Sequence, residues 1–177
     1  MTPITLTLAL SMAISAAAAP APRALTTAGL APVRMGMTVA ATQKALRSRL
    51  ALDDPDPTAA CATAMRTDGA DPQVSYMFHH GKLVRIDVGE PEKPVPHELL
   101  VPTAAGIKVG ATEADVMKAY GKRAKVAPHP YDAEHGHYLD VYSASGKLGY
   151  VFETHDGKVI AFRAGTRLAI DLIEGCN

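Results

Sequence analysis

Three histidines, one aspartate and one glutamate lie within residues 129–137. Imidazole nitrogens and carboxylate oxygens are common ligands of zinc and copper in proteins. His135 and His137 are two residues apart, so on an extended chain their side chains face the same way. Together with Asp132 or Glu134, or with His129, they form a candidate three-ligand metal site, and a periplasmic metal-binding protein that uses His129, His135 and His137 is therefore the alternative function. A polar loop with exposed imidazoles explains the same pattern, because no second ligand pair at a metal-type spacing accompanies it.

The other grouped histidines lie where hairpins are expected. His79 and His80 precede Gly81-Lys82, and His155 precedes Asp156-Gly157. Exposed hairpin tips favour solvated side chains. A contact with a partner or a response to pH is the alternative, since imidazole changes its charge near neutral pH.

Nucleophilic catalysis has little support in the sequence. The serines after residue 18 are Ser48, Ser75, Ser143 and Ser145, and none lies in a Gly-x-Ser-x-Gly or Ser-x-x-Lys pattern. The carboxylates are scattered, with no pair suited to acid and base roles. The basic run of residues 122–125 is expected to be a solvated face and not an anion site. We therefore expect a non-enzymatic protein without a cofactor.

An internal repeat is expected to position these residues. The stretch Val33 to Thr38 matches Ile107 to Thr112 at an offset of 74 residues, and Gly81-Lys82 matches Gly157-Lys158 at an offset of 76. A repeat of this length is one supersecondary unit used twice. We predict repeat one over residues 29–90, a proline-rich connector over 91–104, and repeat two over 105–177.

Each predicted repeat begins with a helix. Thr38 and Thr112 are good N-caps, because a threonine hydroxyl accepts a hydrogen bond from a free amide of the first turn. The first helix is expected to run to about Leu50 and the second to end at Gly121, a favourable residue just past a helix.

Antiparallel strands should follow each helix, since apolar and polar residues alternate with a period of two. Leu99 to Val101 is expected to add an edge strand. The predicted strands lie at about 61–65, 74–79, 84–88, 137–142, 147–153, 158–164 and 167–174. The fold class predicted is α+β: two tandem repeats, each a short helix packed on a three- to four-stranded meander.

The first residues have the pattern of an export signal. Ile4 to Ile14 is apolar, and a run of small residues follows it. We predict a signal peptide over residues 1–18, cleaved between Ala18 and Ala19, and a flexible tether over 19–28. No cysteine lies directly after the apolar run, so a lipid anchor is not expected, and no later run is long enough to span a membrane.

The charge balance and the cysteines indicate which partners and which cellular compartment are expected. The chain has 18 basic and 18 acidic residues, which argues against nucleic acid as a partner, because such proteins need an excess of Lys and Arg. Cys61 and Cys176 are the only cysteines. In a periplasmic or secreted protein an even count favours a disulfide, which here would join the two repeats.

A Gly-Met-Thr or Gly-Ala-Thr step opens each predicted helix, and a meander with a Gly-Lys hairpin follows. The pattern resembles the two-repeat fold of the secreted beta-lactamase inhibitor proteins and the single-repeat small lipoproteins of the outer-membrane assembly machinery. The resemblance covers about residues 29–176 and concerns the scaffold. It implies an exported protein-binding scaffold.

The sequence thus predicts an exported binding protein whose partner is a protein or an envelope ligand, with an inhibitor-like role as one option. We expect its open sheet face or its hairpin tips to carry the contacts. The predicted contact residues are Arg85, His137, Tyr142 and Arg163.

Overall fold

The structure is a computed structural model that describes residues 23–56 and 59–176. The predicted signal peptide and its cleavage position at Ala18 and Ala19 lie outside the described residues. No helix in the described ranges has the length and apolar character needed to cross a membrane.

Two eight-residue helices begin where the sequence predicts. The first, α1, is Val39–Leu46, and the Thr38 hydroxyl accepts from the Ala41 amide at 3.1 Å. The second, α2, is Glu113–Tyr120, and its Thr112 cap exchanges hydrogen bonds with Asp115. Capping by threonine satisfies amides that the first turn leaves free. The first helix ends at Leu46, about four residues before the predicted end.

In the described residues, ten strands, one further helix and two 3₁₀ turns make up the rest of the regular structure. In chain order the strands are β1 (Leu25–Thr26), β2 (Gly29–Leu30), β3 (Leu50–Leu52), β4 (Cys61–Arg66), β5 (Val74–His79), β6 (Lys82–Val88), β7 (Ala124–Pro128), β8 (Gly136–Tyr142), β9 (Leu148–His155) and β10 (Lys158–Thr166). The helix α3, Arg167–Ile170, follows β10 directly. One 3₁₀ turn occupies His97–Leu99, and the edge strand expected at Leu99 to Val101 does not form.

The predicted α+β class is wrong, because the described chain is mostly β. Its eight-stranded antiparallel sheet has the order β3-β4-β5-β6-β10-β9-β8-β7, and β1 and β2 form a separate two-stranded sheet. Only 17% of the structure is helical, in three short helices. The two expected meanders do not form separate helix-on-meander units, since β6 pairs with β10 and joins them into one sheet.

One face of the large sheet packs against the core. Tyr76, Phe78, Phe152 and Phe162 are essentially inaccessible to solvent there and pack with residues of α1, α2 and the β1–β2 hairpin. We call this the covered face. Because successive strand residues point to opposite sides, Arg85 and Arg163 lie on the other side, the polar face.

The matched stretches of sequence make the same local contacts. Gly36 and Gly110 adopt φ of 84° and 86°, a region that glycine enters without strain. Their amides donate to Leu83 at 2.7 Å and Val159 at 2.8 Å. Each contact anchors the chain before a helix to the start of a strand, β6 or β10.

Two further expectations fail near the ends of the described chain. Leu25, inside the predicted flexible tether, is fully buried, and its amide donates to the Pro102 carbonyl at 2.8 Å. The predicted last strand over 167–174 is instead one turn of helix followed by turns. Leu168 is 86% exposed there, while Ile170 is buried, so the alternation expected of a strand is absent.

Candidate functional site

The polar face carries the C-terminal segment of the chain itself. We call residues 167–176 the C-terminal strap. A disulfide between Cys61 and Cys176 ties the end of the strap to β4, as the sequence predicts. Disulfides are typical of proteins that fold in an oxidising compartment.

Arg85 and Arg163, two of the predicted partner contacts, hold this strap in place. Nη1 of Arg85 donates to the carbonyls of Ala169 at 3.1 Å and Leu172 at 2.7 Å. Nε of Arg163 donates to the Ile170 carbonyl at 2.6 Å. Their exposed fractions are 7% and 5%, so neither guanidinium is open to a partner in this state.

Tyr142, the third predicted contact, also meets the strap. Its hydroxyl donates to Asp171 at 2.7 Å, and the Arg167 guanidinium lies over its ring. Burial and the hydrogen bond to Asp171 raise the pKa of the phenol well above its usual range. The hydroxyl therefore stays protonated and serves as a donor to the strap.

His137, the fourth predicted contact, lies on the covered side of β8. Its Nδ1 is 2.8 Å from the Glu113 carboxylate at the start of α2, and the Thr154 hydroxyl donates to the same oxygen at 2.6 Å. Burial raises the pKa of Glu113, but the hydrogen bonds from Thr154 and His137 outweigh it and hold that pKa below its ordinary value. The four predicted contacts thus do not form one open surface.

The predicted metal ligands are also separated. His129 lies beside Glu153 at 3.2 Å, His135 beside Asp156 at 3.3 Å, and His137 beside Glu113. Within residues 23–56 and 59–176, no group of three or more His, Cys, Asp or Glu side chains is arranged to hold a metal ion. Geometry therefore gives no support to the metal-binding alternative in the part of the chain that is described.

A different surface, the β7 edge of the large sheet, has backbone groups that pair with no neighbouring strand of the described chain. We call residues 122–128 the basic rim: Lys122 and Arg123 precede β7, and Lys125 lies within it. All three side chains are exposed, and none forms an ion pair with a described residue. Residues 116–131 contain four Lys and Arg residues and no Asp or Glu, so this stretch of the chain is cationic. Asp140 lies opposite Lys125 in the β7–β8 register.

A pocket of about 400 Å³ adjoins the rim at the start of β7. Its lining includes Arg123, Val141 and the rings of Tyr120 and Tyr150. The Arg123 guanidinium lies 5.7 Å from the centroid of the Tyr120 ring, a cation–π arrangement. The pocket therefore combines aromatic walls with one positive charge.

The sequence did not reveal the rim, because residues 124–128 were not predicted as a strand. The signal is Lys125 together with Pro128 in a short run of β-compatible residues, since lysine and proline are typical of edge strands. The basic run was expected to be a solvated face, and its exposure agrees with that expectation.

Comparisons with known proteins leave the family open. No family model matches the chain, and no curated protein matches it. Among solved structures, an extracellular protein containing an SCP domain from Bacillus anthracis str. Ames is similar at 8% identity, with a TM-score of 0.47. The match covers 89% of this chain and 50% of that one, so this chain spans half the length of that neighbour. It does not test the resemblance to the inhibitor and outer-membrane-assembly families.

Proposed function

We propose that this protein is an exported, non-enzymatic binding protein of the periplasm or the extracellular space, and that its basic rim contacts another protein or an envelope ligand. The observation that carries the proposal is the rim itself. It joins an unpaired sheet edge, three cations without ion-pair partners among the described residues, and an adjacent aromatic pocket.

The rest of the molecule supports the choice of this surface. The polar face, where three of the four predicted contacts lie, is covered by the C-terminal strap, and the disulfide ties the end of the strap to β4. The covered face packs against the helices. The opposite sheet edge, β3, has only three residues, and the Gln43 side chain accepts from its Leu50 amide at 3.1 Å.

Export is proposed from two features. The apolar segment followed by small residues at the start of the sequence is typical of a signal peptide. The Cys61–Cys176 disulfide is typical of an oxidising compartment, where it persists.

The test is a pull-down from envelope extract with residues 19–177, comparing three baits. The first is the natural sequence, the second carries Lys122→Glu, Arg123→Glu and Lys125→Glu, and the third carries Lys82→Glu. Lys82 is an exposed lysine in the other half of the sheet, so it controls for charge alone.

We expect proteins or envelope ligands that bind the first and third baits and are lost from the second. The same captured set on all three baits would refute the rim as the binding surface. No specific capture by any bait would refute the proposed binding function.

A further inference from the structure

We propose that the basic rim binds an acidic, extended segment of another protein as an additional strand beside β7. This proposal rests on the proposed binding function and specifies the chemistry of the partner. Three features support it: the outward-facing backbone groups of β7, the side chains that flank them, and the poorer fit of other occupants.

The hydrogen-bond pattern shows which groups face outward. The His129 amide donates to the Gly136 carbonyl at 2.9 Å, just beyond the end of β7, and the register from Ala124 to Pro128 has no shift. Inward and outward groups alternate along an antiparallel strand. Lys125 and Ala127 therefore bond to β8, while the backbone groups of Ala124, Val126 and Pro128 point to the free edge.

These outward groups can pair with a new strand. By this alternation Val126 offers both its amide and its carbonyl to the free edge. The Ala124 amide already donates to Gly121, so Ala124 offers its carbonyl, as does Pro128, which has no amide hydrogen. An antiparallel segment would thus form two hydrogen bonds with Val126 and one each with Ala124 and Pro128. Main-chain pairing of this kind is a common mode of peptide recognition.

The side chains of the rim define the preferred sequence of the segment. In the new ladder, Lys125 would lie in a non-hydrogen-bonded pair, where opposite side chains come closest. Opposite charges in such pairs are favourable, so an Asp or Glu belongs opposite Lys125. Val126 is 50% exposed and favours a β-branched apolar neighbour. A second acidic residue, opposite Arg123, would face the other cation of the rim at this end of β7.

Read from its N-terminus, an antiparallel segment therefore has an apolar residue opposite Val126, then an acidic residue, one residue of any type, and a second acidic residue. A bulky residue fits immediately before the apolar one, because Ala127 presents only a methyl group there. The hexapeptide Thr-Tyr-Val-Glu-Thr-Glu meets all of these conditions.

A second copy of this chain fits the edge less well. Pairing β7 with β7 would bring two cationic rims together, and like charges across a ladder are unfavourable. Pairing β7 with β3 of another copy would need the edge that Gln43 already occupies at Leu50. Charge complementarity therefore favours an acidic segment of a different protein.

The experiment measures binding of the fluorescently labelled hexapeptide, acetylated and amidated at its ends, by fluorescence anisotropy at low salt. A peptide with both Glu replaced by Lys tests charge. The variant Val126→Pro removes the outward amide without breaking a bond to β8, and Val126→Ala is its matched control because it keeps the amide. Circular dichroism checks that both variants are folded.

We expect saturable binding that weakens about tenfold for the lysine peptide and about tenfold for Val126→Pro, since each loses an interaction worth about one factor of ten. Val126→Ala should weaken binding by about threefold or less, and Lys82→Glu should leave it unchanged. Added salt should weaken binding, because the rim cations are exposed.

Three results would overturn the proposal: no binding of the hexapeptide at millimolar concentration, equal binding of the lysine peptide, or full binding by folded Val126→Pro. Concentration-dependent self-association that Val126→Pro abolishes would also overturn it, because a second copy would then occupy the edge. The two experiments separate the proposals. If the rim variant loses its captured proteins in the pull-down but the hexapeptide does not bind, the binding function is supported and the acidic added strand is refuted.

Discussion

Replacing both cysteines by serine should destabilise the protein strongly through the unfolded state. Cys61 and Cys176 are 115 residues apart, so the disulfide closes a long loop. In the chain-entropy account a loop of this length contributes about 4.7 kcal/mol to the free energy of unfolding. Most of that contribution should be lost in Cys61→Ser/Cys176→Ser, because the unfolded chain regains the freedom that the bond removes.

The measurement is urea unfolding of the variant beside the oxidised and reduced natural protein. With an m value of about 2 kcal/mol per molar urea, the loss corresponds to a midpoint lower by about 2 M. The m value should also rise, since the unfolded chain without the bond is less compact and exposes more surface. Reduced natural protein should match the variant.

In Cys61→Ser/Cys176→Ser the strap of the native state should loosen but stay in place, because its contacts with two arginines remain. Arg85 and Arg163 still donate to its carbonyls, so hydrogen exchange at residues 168–175 should quicken while the strap still shows protection. A free energy change below about 1 kcal/mol, with an unchanged m value, would refute the chain-entropy reasoning. Complete loss of strap protection at unchanged global stability would show that the bond, and not the arginines, holds the strap.

Three further outcomes are expected. Arg163→Met should cost about 1–3 kcal/mol in thermal unfolding, because the buried Ile170 carbonyl loses its charged donor; no loss would show that the strap does not depend on this bond. Glu113→Gln should make the free energy of unfolding less sensitive to acid. Folding lowers the pKa of Glu113, so the ionised carboxylate stabilises the fold fully above its pKa in the unfolded chain. That stabilisation is lost as the pH falls through the pKa of the folded state. Parallel stability–pH curves for Glu113→Gln and the natural protein would contradict this. Gly165→Ala should destabilise by about 3 kcal/mol or more, because its Cβ would lie 2.1 Å from a backbone oxygen of β6. Gly157→Ala meets no atom within 4 Å and should cost only about 1–2 kcal/mol for its left-handed conformation; equal losses would refute the steric argument.

The failed prediction at the C-terminus shows why local pattern is insufficient. Leu168, Ile170 and Leu172 alternate as in a strand, yet residues 167–170 form a helical turn. The carbonyls of that turn are satisfied by Arg85 and Arg163 from the sheet beneath. Arg163 is only seven residues before Ile170 in the sequence, but Arg85 is 84 residues before Ala169. No window of local sequence around the strap contains Arg85.

The missed strand β7 has a similar cause. Residues 124–128 have one buried residue, Ala124, and otherwise exposed side chains, so no apolar alternation marks them. Pairing with β8 makes them a strand. The binding surface proposed here arises from that position at the edge of the sheet.

The sequence by itself determined the features that depend on near neighbours or on covalent chemistry. Thr38 and Thr112 begin their helices because their hydroxyls reach amides three residues away. Alternation placed most of the strands of the large sheet, and the two cysteines form the predicted bond. Only the tertiary structure decided that β6 pairs with β10, that the strap covers Arg85, and that β7 is left with a free edge. Those outcomes depend on which distant segments share hydrogen bonds and buried surface, and strand periodicity is the same whichever neighbour a strand has.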